Sequence, residues 1–202
     1  MSDHYYTEKP NTKSNPMTWE ATLDHRLFQF MTDSGVFSKG SVDYGSRLLI
    51  ETVDLTDFPS GDLLDVGCGY GPMGMALAAK DESRVVDMVD VNLRALELAK
   101  QNVKINRVKN CRIYQSNIYE SVEKTDFVGI FSNPPIRAGK EVVHEILEKA
   151  YNHLIIGGRL TIVIQKKQGA PSAKKKMEAV FGNAERLVQD KGYWILESIK
   201  TD

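Results

Sequence analysis

An excess of charge of one sign is the first thing this sequence lacks: 26 lysines and arginines stand against 27 aspartates and glutamates, for a net charge of −1. A nucleic-acid-binding chain of this size often announces itself by a surplus of basic residues, so any basic surface here has to be local. Cysteine is scarce as well. Cys68 and Cys111 are the only two, too few for a framework of bridges, and neither has a second Cys or a His nearby at metal-ligand spacing. Both read as small buried apolar residues. The histidines (His4, His25, His144, His153) are scattered and form no metal or triad pattern. No apolar run approaches the ~20 residues of a membrane span, and residues 1–10 have no apolar segment of a secretory signal, so a cytoplasmic protein without membrane contact is expected. What is present, 202 residues of which 42% are hydrophobic, suffices for one sizeable core and one domain, as a monomer or weak homodimer.

Along the chain, residues 1–16, interrupted by Pro10, Asn11 and Pro16, read as an arm. From Met17 to Asp33 polar and apolar residues alternate around Asp24-His25, which favours a β-hairpin with Trp19, Phe28 and Phe30 in its own core. A loop from Gly35 to Gly40 follows, and Tyr44 to Val53 has helical spacing, which closes an N-terminal part over 17–60. The remaining 61–202 alternates short apolar runs with amphipathic segments. Leu63–Val66, Val85–Val89, Arg112–Gln115, Phe127–Phe131 and Leu160–Ile164 are strand-like, and helices begin near Pro72, Asn92 and Lys140. Such alternation means a parallel sheet covered on both faces. Glu185–Gln189 and Tyr193–Ile199, separated by Asp190-Lys191-Gly192, suggest a terminal hairpin that adds one antiparallel strand. The fold class is α/β, a Rossmann-like sandwich with a mostly parallel seven-stranded sheet.

The strongest motif is Leu63-Leu64-Asp65-Val66-Gly67-Cys68-Gly69-Tyr70-Gly71-Pro72, a buried strand running into a glycine turn that opens a helix. The backbone must turn tightly there and approach a ligand closely, and the helix start offers free N–H groups. Gly69 to Gly74 also satisfies the dinucleotide pattern G-x-G-x-x-G. Register argues against it: counted from Gly67, Pro72 falls where a third dinucleotide glycine would stand, and proline has no N–H for a pyrophosphate. The next strand ends in Asp90-Val91, at the spacing where such folds bind a ribose. A ribose without a pyrophosphate points to S-adenosylmethionine as cofactor.

These residues resemble the first motif of class I S-adenosylmethionine-dependent methyltransferases. Ser132-Asn133-Pro134-Pro135-Ile136 resembles the Asn-Pro-Pro-aromatic motif of enzymes that methylate exocyclic nitrogens. Together with Gly35-Val36-Phe37-Ser38, Gln115-Ser116-Asn117 and Arg137-Ala138-Gly139-Lys140, the chain is similar to the methyltransferase-small-domain family over roughly residues 17–200. That family includes small-subunit ribosomal RNA guanine-N2 methyltransferases. The resemblance implies a cofactor site at Asp65, Gly67, Cys68, Gly69, Gly71, Asp90, Val91, Asn117 and Asn133. It implies a catalytic loop at Asn133, Pro134, Pro135 and Ile136, and further roles for Phe37, Asp43 and Ser46.

An aryl amine is a poor nucleophile because its lone pair is delocalised into the ring. If the Asn133 side-chain carbonyl and the Pro134 backbone carbonyl each accept one amine hydrogen, the lone pair is aimed at the methyl donor, and orientation carries the catalysis. Asn rather than Asp suits this, because its NH2 can be anchored while its oxygen faces the substrate. Ile136 departs from the aromatic of the motif, so base stacking has to come from elsewhere, with Phe37 and Tyr119 as candidates. Lys166, Lys167 and Lys174–Lys176 follow the fifth strand and are expected on the sheet edge of the glycine turn, as phosphate contacts or as a solvated face, and the resemblance adds Phe37, Arg137 and Lys140 as substrate contacts. The expected reaction is methyl transfer to an exocyclic amine, guanine N2 of small-subunit ribosomal RNA. Adenine and protein glutamine are the alternatives, and an NAD-dependent oxidoreductase and a silent adenosine-binding subunit are the rivals.

Overall fold

The computed structural model describes residues 13–36, 38 and 40–202. Residues 13–16 of the expected arm have no regular structure; the rest of it and Phe37 lie outside the described residues.

The opening hairpin is β1 (Met17–Leu23) with β2 (Arg26–Thr32), paired from Met17↔Thr32 to Leu23↔Arg26, with Asp24 and His25 at positive φ in the turn. Alternation puts Phe28, Phe30 and Thr32 on the buried face, where Phe30 meets Trp19 and Tyr70. The hairpin docks on α3 (Leu93–Ile105) through asparagine side chains that stand in for a third strand. Asn102 exchanges two hydrogen bonds with the Met31 backbone and Asn106 two with Gln29, at 2.7–3.0 Å. Asn102 also donates to the Tyr70 carbonyl at 2.9 Å, so one carboxamide fastens the hairpin to the glycine turn.

The main sheet comprises β3 (Leu63–Val66), β4 (Val86–Asp90), β5 (Cys111–Gln115), β6 (Phe127–Ser132), β7 (Leu154–Gln165), β8 (Glu185–Asp190) and β9 (Tyr193–Ile199). Their order is β5-β4-β3-β6-β7-β9-β8, and β9 alone runs against the others. The chain builds outward from β3 to β5 and then returns to place β6 on the other side of β3. Ligands bind at such a reversal, in the crevice beyond the carboxyl ends of the strands. The turns after β3 and β6 are neighbours there, and Ser132 at the end of β6 donates to the Val66 carbonyl at 2.8 Å.

Around the sheet lie α1 (Tyr44–Thr52), α2 (Pro72–Lys80), α3, α4 (Lys140–His153) and α5 (Ala170–Phe181). Pro72 opens α2 at a position where a missing N–H does no harm. Helix α5 has no counterpart among the helices expected from the sequence. Lys174–Lys176 lie within that helix, which buries Ala170, Ala173, Met177 and Phe181, and they are not at the strand ends. Lys174 pairs with Glu178, and Lys176 pairs with Glu148 of α4. Among the described residues no helix is long and apolar enough to cross a membrane.

Candidate active site

The turn after β3 is held by the end of β4. The Gly67 and Cys68 amides both donate to the Val89 carbonyl at 2.9 Å, and the Gly69 amide donates to Asp90 Oδ2 at 2.8 Å. Gly67 (φ 77°) and Gly69 (φ 57°) hold the left-handed conformation that favours glycine, and a Cβ on either meets no atom within 4 Å. That open space belongs to one cavity, which extends to the turn after β6.

Of the three carboxyl groups that line this cavity, Asp65 and Asp90 lie on the side of the glycine turn and Asp43 at the start of α1. Asp90 accepts amides on both oxygens, from Gly69 on one and from Asn92 at 2.8 Å on the other, while Asn92 caps α3. Its orientation is thus fixed without its serving as the cap. Burial raises its pKa above the ordinary carboxylate range, against the pull of those amides. Asp65 is fully buried and neither of its oxygens has a hydrogen-bond partner among the described residues. Burial pushes its pKa up to about 8; the nearby Gly74 amide opposes the rise and the charge of Asp90 adds to it. A buried acid with only the Gly74 amide nearby is a place for a further donor or a cation brought by a ligand. S-adenosylmethionine carries an ammonium, a sulfonium and a ribose diol, and the open glycine turn, Asp65 and Asp90 suit such a molecule. Cys68 lines the same wall, with its thiol held neutral by burial and by the two acids. Among the described residues no group of three or more metal-binding side chains occurs.

Across the cavity, Asn133 follows β6 and is held from α1. Its amide nitrogen donates to Asp43 Oδ2 at 2.9 Å and to Ser46 Oγ at 3.0 Å, which uses both N–H bonds. Asp43 caps α1 with the same oxygen, accepting the Ser46 amide at 3.2 Å. The Asn133 carbonyl oxygen receives no hydrogen bond among the described residues, and Asn133, Pro134, Pro135 and Ile136 all line the cavity. Arg137 reaches its rim within a one-turn 3-10 helix, Ile136–Ala138.

The structure does not bring every expected residue to the cavity. Gly71 (φ 97°) leaves room for core packing instead: a Cβ there would stand 2.8 Å from Met88 Cε. Val91 offers its carbonyl to Gln115, and Asn117 lies exposed beyond β5 with its amide on Glu120. Lys140 borders a separate surface groove with His144 and Lys176. Lys166 and Lys167 are exposed in the turn after β7; their neighbours Gln165 and Gln168 line the cavity, and the lysines themselves stand outside it. Tyr119 cannot stack on a substrate, because its ring is buried against His153 and its hydroxyl donates to the Ile146 carbonyl. Sequence reasoning missed Gln165, Gln168 and Tyr193. The available signal for Tyr193 is topological, since the first residue of an antiparallel strand falls where the parallel strands end.

The chain matches the family described as methyltransferase small domain over residues 27–197. It is 50% identical to the Bacillus subtilis protein YbxB, across 99% of this chain and 100% of that one. It is 32% identical to ribosomal RNA small subunit methyltransferase C of Photorhabdus laumondii, over 82% of this chain and 48% of the other. Among solved structures it is similar to a Thermus thermophilus 16S rRNA methyltransferase acting at N2 of a guanine, in complex with AdoMet and guanosine. That match has a TM-score of 0.82 and 25% identity, over 92% of this chain and 50% of the other. A Pyrococcus furiosus methyltransferase matches with a TM-score of 0.67 and 26% identity, over 84% and 91% of the two chains. The chain spans about half the length of the ribosomal RNA methyltransferases it matches.

Proposed function

Since the chain belongs to the methyltransferase small domain family and is an S-adenosylmethionine-dependent methyltransferase, we propose that its substrate is an exocyclic amine, guanine N2 of small-subunit ribosomal RNA. The observation that carries this reading is the anchoring of Asn133. With both its N–H bonds on Asp43 and Ser46, the carboxamide cannot turn over, and only its oxygen is left for a ligand. Pro134 and Pro135 follow with no N–H of their own, so the turn offers acceptors where an –NH2 group needs them. S-adenosylmethionine would supply the methyl group on a sulfonium, from which a neutral thioether departs readily as the S–C bond breaks. The Asn133 oxygen and the Pro134 carbonyl hold the two amine hydrogens and point the nitrogen lone pair along the line of transfer. The surplus proton departs after the new bond forms, which is why no strong base is needed. Gly67, Gly69, Asp65 and Asp90 hold the cofactor across the cavity.

The ribosomal substrate is supported by the relatives' names and by the guanosine in the Thermus complex. Arg137, Lys166 and Lys167, exposed in the turns after β6 and β7, would contact the phosphates of such a substrate. With that substrate the enzyme works in the cytoplasm. The test uses labelled S-adenosylmethionine and small ribosomal subunits from a strain lacking the protein, followed by digestion to nucleosides. Label in N2-methylguanosine is expected. Label in N6-methyladenosine, or in protein glutamine, would replace guanine with one of the other amines.

A further inference from the structure

Ile136 covers a ring only by apolar contact, which leaves the proposed site without a π surface to fix the plane of a base. We propose that Tyr193 supplies that surface, stacking on the target base while Asn133 holds its amine; this rests on the reading of the site as a nucleobase N-methyltransferase. Tyr193 is the first residue of β9 and pairs with Gln165, the last residue of β7, so its antiparallel strand starts at the edge where Asn133 stands. Its ring lies against the start of α1. A Cβ on Gly45 would come within 2.8 and 2.9 Å of the Tyr193 Cε1 and Cδ1 atoms and 3.0 Å of Asp43 Oδ2. Glycine at position 45 therefore admits the ring beside the carboxylate that anchors Asn133. The Tyr44 ring supports it at 5.5 Å and is itself fixed by its hydroxyl on Asp190 and by the Lys191 ammonium at 4.5 Å.

The described residues place two aromatic rings on the cavity wall, Tyr70 and Tyr193. Tyr70 is buried in the glycine turn, packed edge-on against Trp19 and Phe30, with its hydroxyl on the Ser41 carbonyl. Its ring is committed to the hairpin. Tyr193 is half-buried and its hydroxyl has no hydrogen-bond partner among the described residues, so the ring is available to a ligand.

The experiment titrates guanosine, and separately adenosine, into protein loaded with S-adenosylhomocysteine, for wild type, Tyr193→Phe, Tyr193→Leu and the pair Tyr193→Leu with Ile136→Phe. Tyr193→Phe should bind guanosine within about twofold of wild type, and Tyr193→Leu should lose on the order of tenfold, as removal of a stacking ring does. Ile136→Phe, which returns a ring to the same cavity, should recover most of that loss. S-adenosylhomocysteine affinity should stay constant throughout, which separates stacking from a packing defect; Tyr193→Met replaces the leucine variant if the latter fails to fold. Undiminished guanosine binding by Tyr193→Leu would overturn the role of the ring and leave the amine reading standing. An equal loss in Tyr193→Phe would also overturn it, in favour of the hydroxyl. Ring-dependent binding of adenosine but not guanosine would uphold the stacking face and overturn guanine as the target. Wild type that takes neither nucleoside would overturn both.

Discussion

Asn133 and Asp43 stand 90 residues apart in sequence and share a 2.9 Å hydrogen bond, through an oxygen that also caps α1. The start of one helix thereby sets the orientation of a carboxamide at the end of a β-strand. Removing Asp43 should act on turnover as well as on stability. Asp43→Ala is expected to lower the melting temperature by a few degrees through loss of the cap, worth about 1 kcal/mol. It should reduce kcat about tenfold or more at saturating cofactor, with cofactor affinity unchanged. Asp43→Ser restores a cap with a shorter side chain, so it should recover the melting temperature and not kcat. Recovery of both would make Asp43 a cap and nothing more.

Asp90 is held by the Gly69 and Asn92 amides, and its place at the end of β4 suits a ribose diol. Asp90→Ala should therefore lose about tenfold or more of its S-adenosylmethionine affinity, measured by calorimetry on folded protein. NAD should bind neither protein. Wild-type affinity in Asp90→Ala would remove the residue from the cofactor site.

The buried acids also predict how stability varies with pH. Asp65 has its folded pKa raised to about 8 from an ordinary 3.8, and that of Asp90 is raised in the same direction. Between the unfolded and folded values the folded state binds more protons than the unfolded one, so these groups make stability fall as pH rises. For Asp65 the window runs from about pH 4 to about 8. Melting temperatures of cofactor-free protein should decline across it, and Asp65→Asn should flatten the decline. A profile unchanged by Asp65→Asn would mean that this carboxyl is not protonated in the free protein.

Much of this architecture was legible in the sequence, because its signals are local. Apolar runs gave the sheet strands, alternation around Asp24-His25 gave the hairpin, and Pro72 gave both the start of α2 and the argument against a pyrophosphate. The helix Ala170–Phe181 escaped because Lys174–Lys176 interrupt a pattern whose buried members include two small alanines. Asn133 was recognisable by its motif and Asp43 only by resemblance; their hydrogen bond depends on how α1 crosses the sheet edge. Tyr193 gave no local sign, since its place depends on the absence of a side chain at Gly45.

The helix pairings change what is expected of the lysines. Lys166 and Lys167 make no ion pair among the described residues, whereas Lys174 and Lys176 are paired with Glu178 and Glu148. Replacing Lys166 and Lys167 together by Gln should weaken RNA binding and flatten its salt dependence by about 0.7 for each phosphate that is no longer neutralised. The same change at Lys174 and Lys176 should leave the slope as it was. Equal slopes for all three proteins would mean that the RNA path avoids the turn after β7.

The most direct test of the account is Asn133→Ala, measured for methyl transfer to small ribosomal subunits and for S-adenosylmethionine affinity in the same preparation. The substitution removes the acceptor that Asp43 and Ser46 hold in place and leaves Asp65, Asp90 and the glycine turn untouched. The predicted result is near-normal cofactor affinity with turnover reduced by about 10² or more, the scale of losing an orienting polar group in the transition state. Retention of most of the turnover would contradict the proposed role of Asn133.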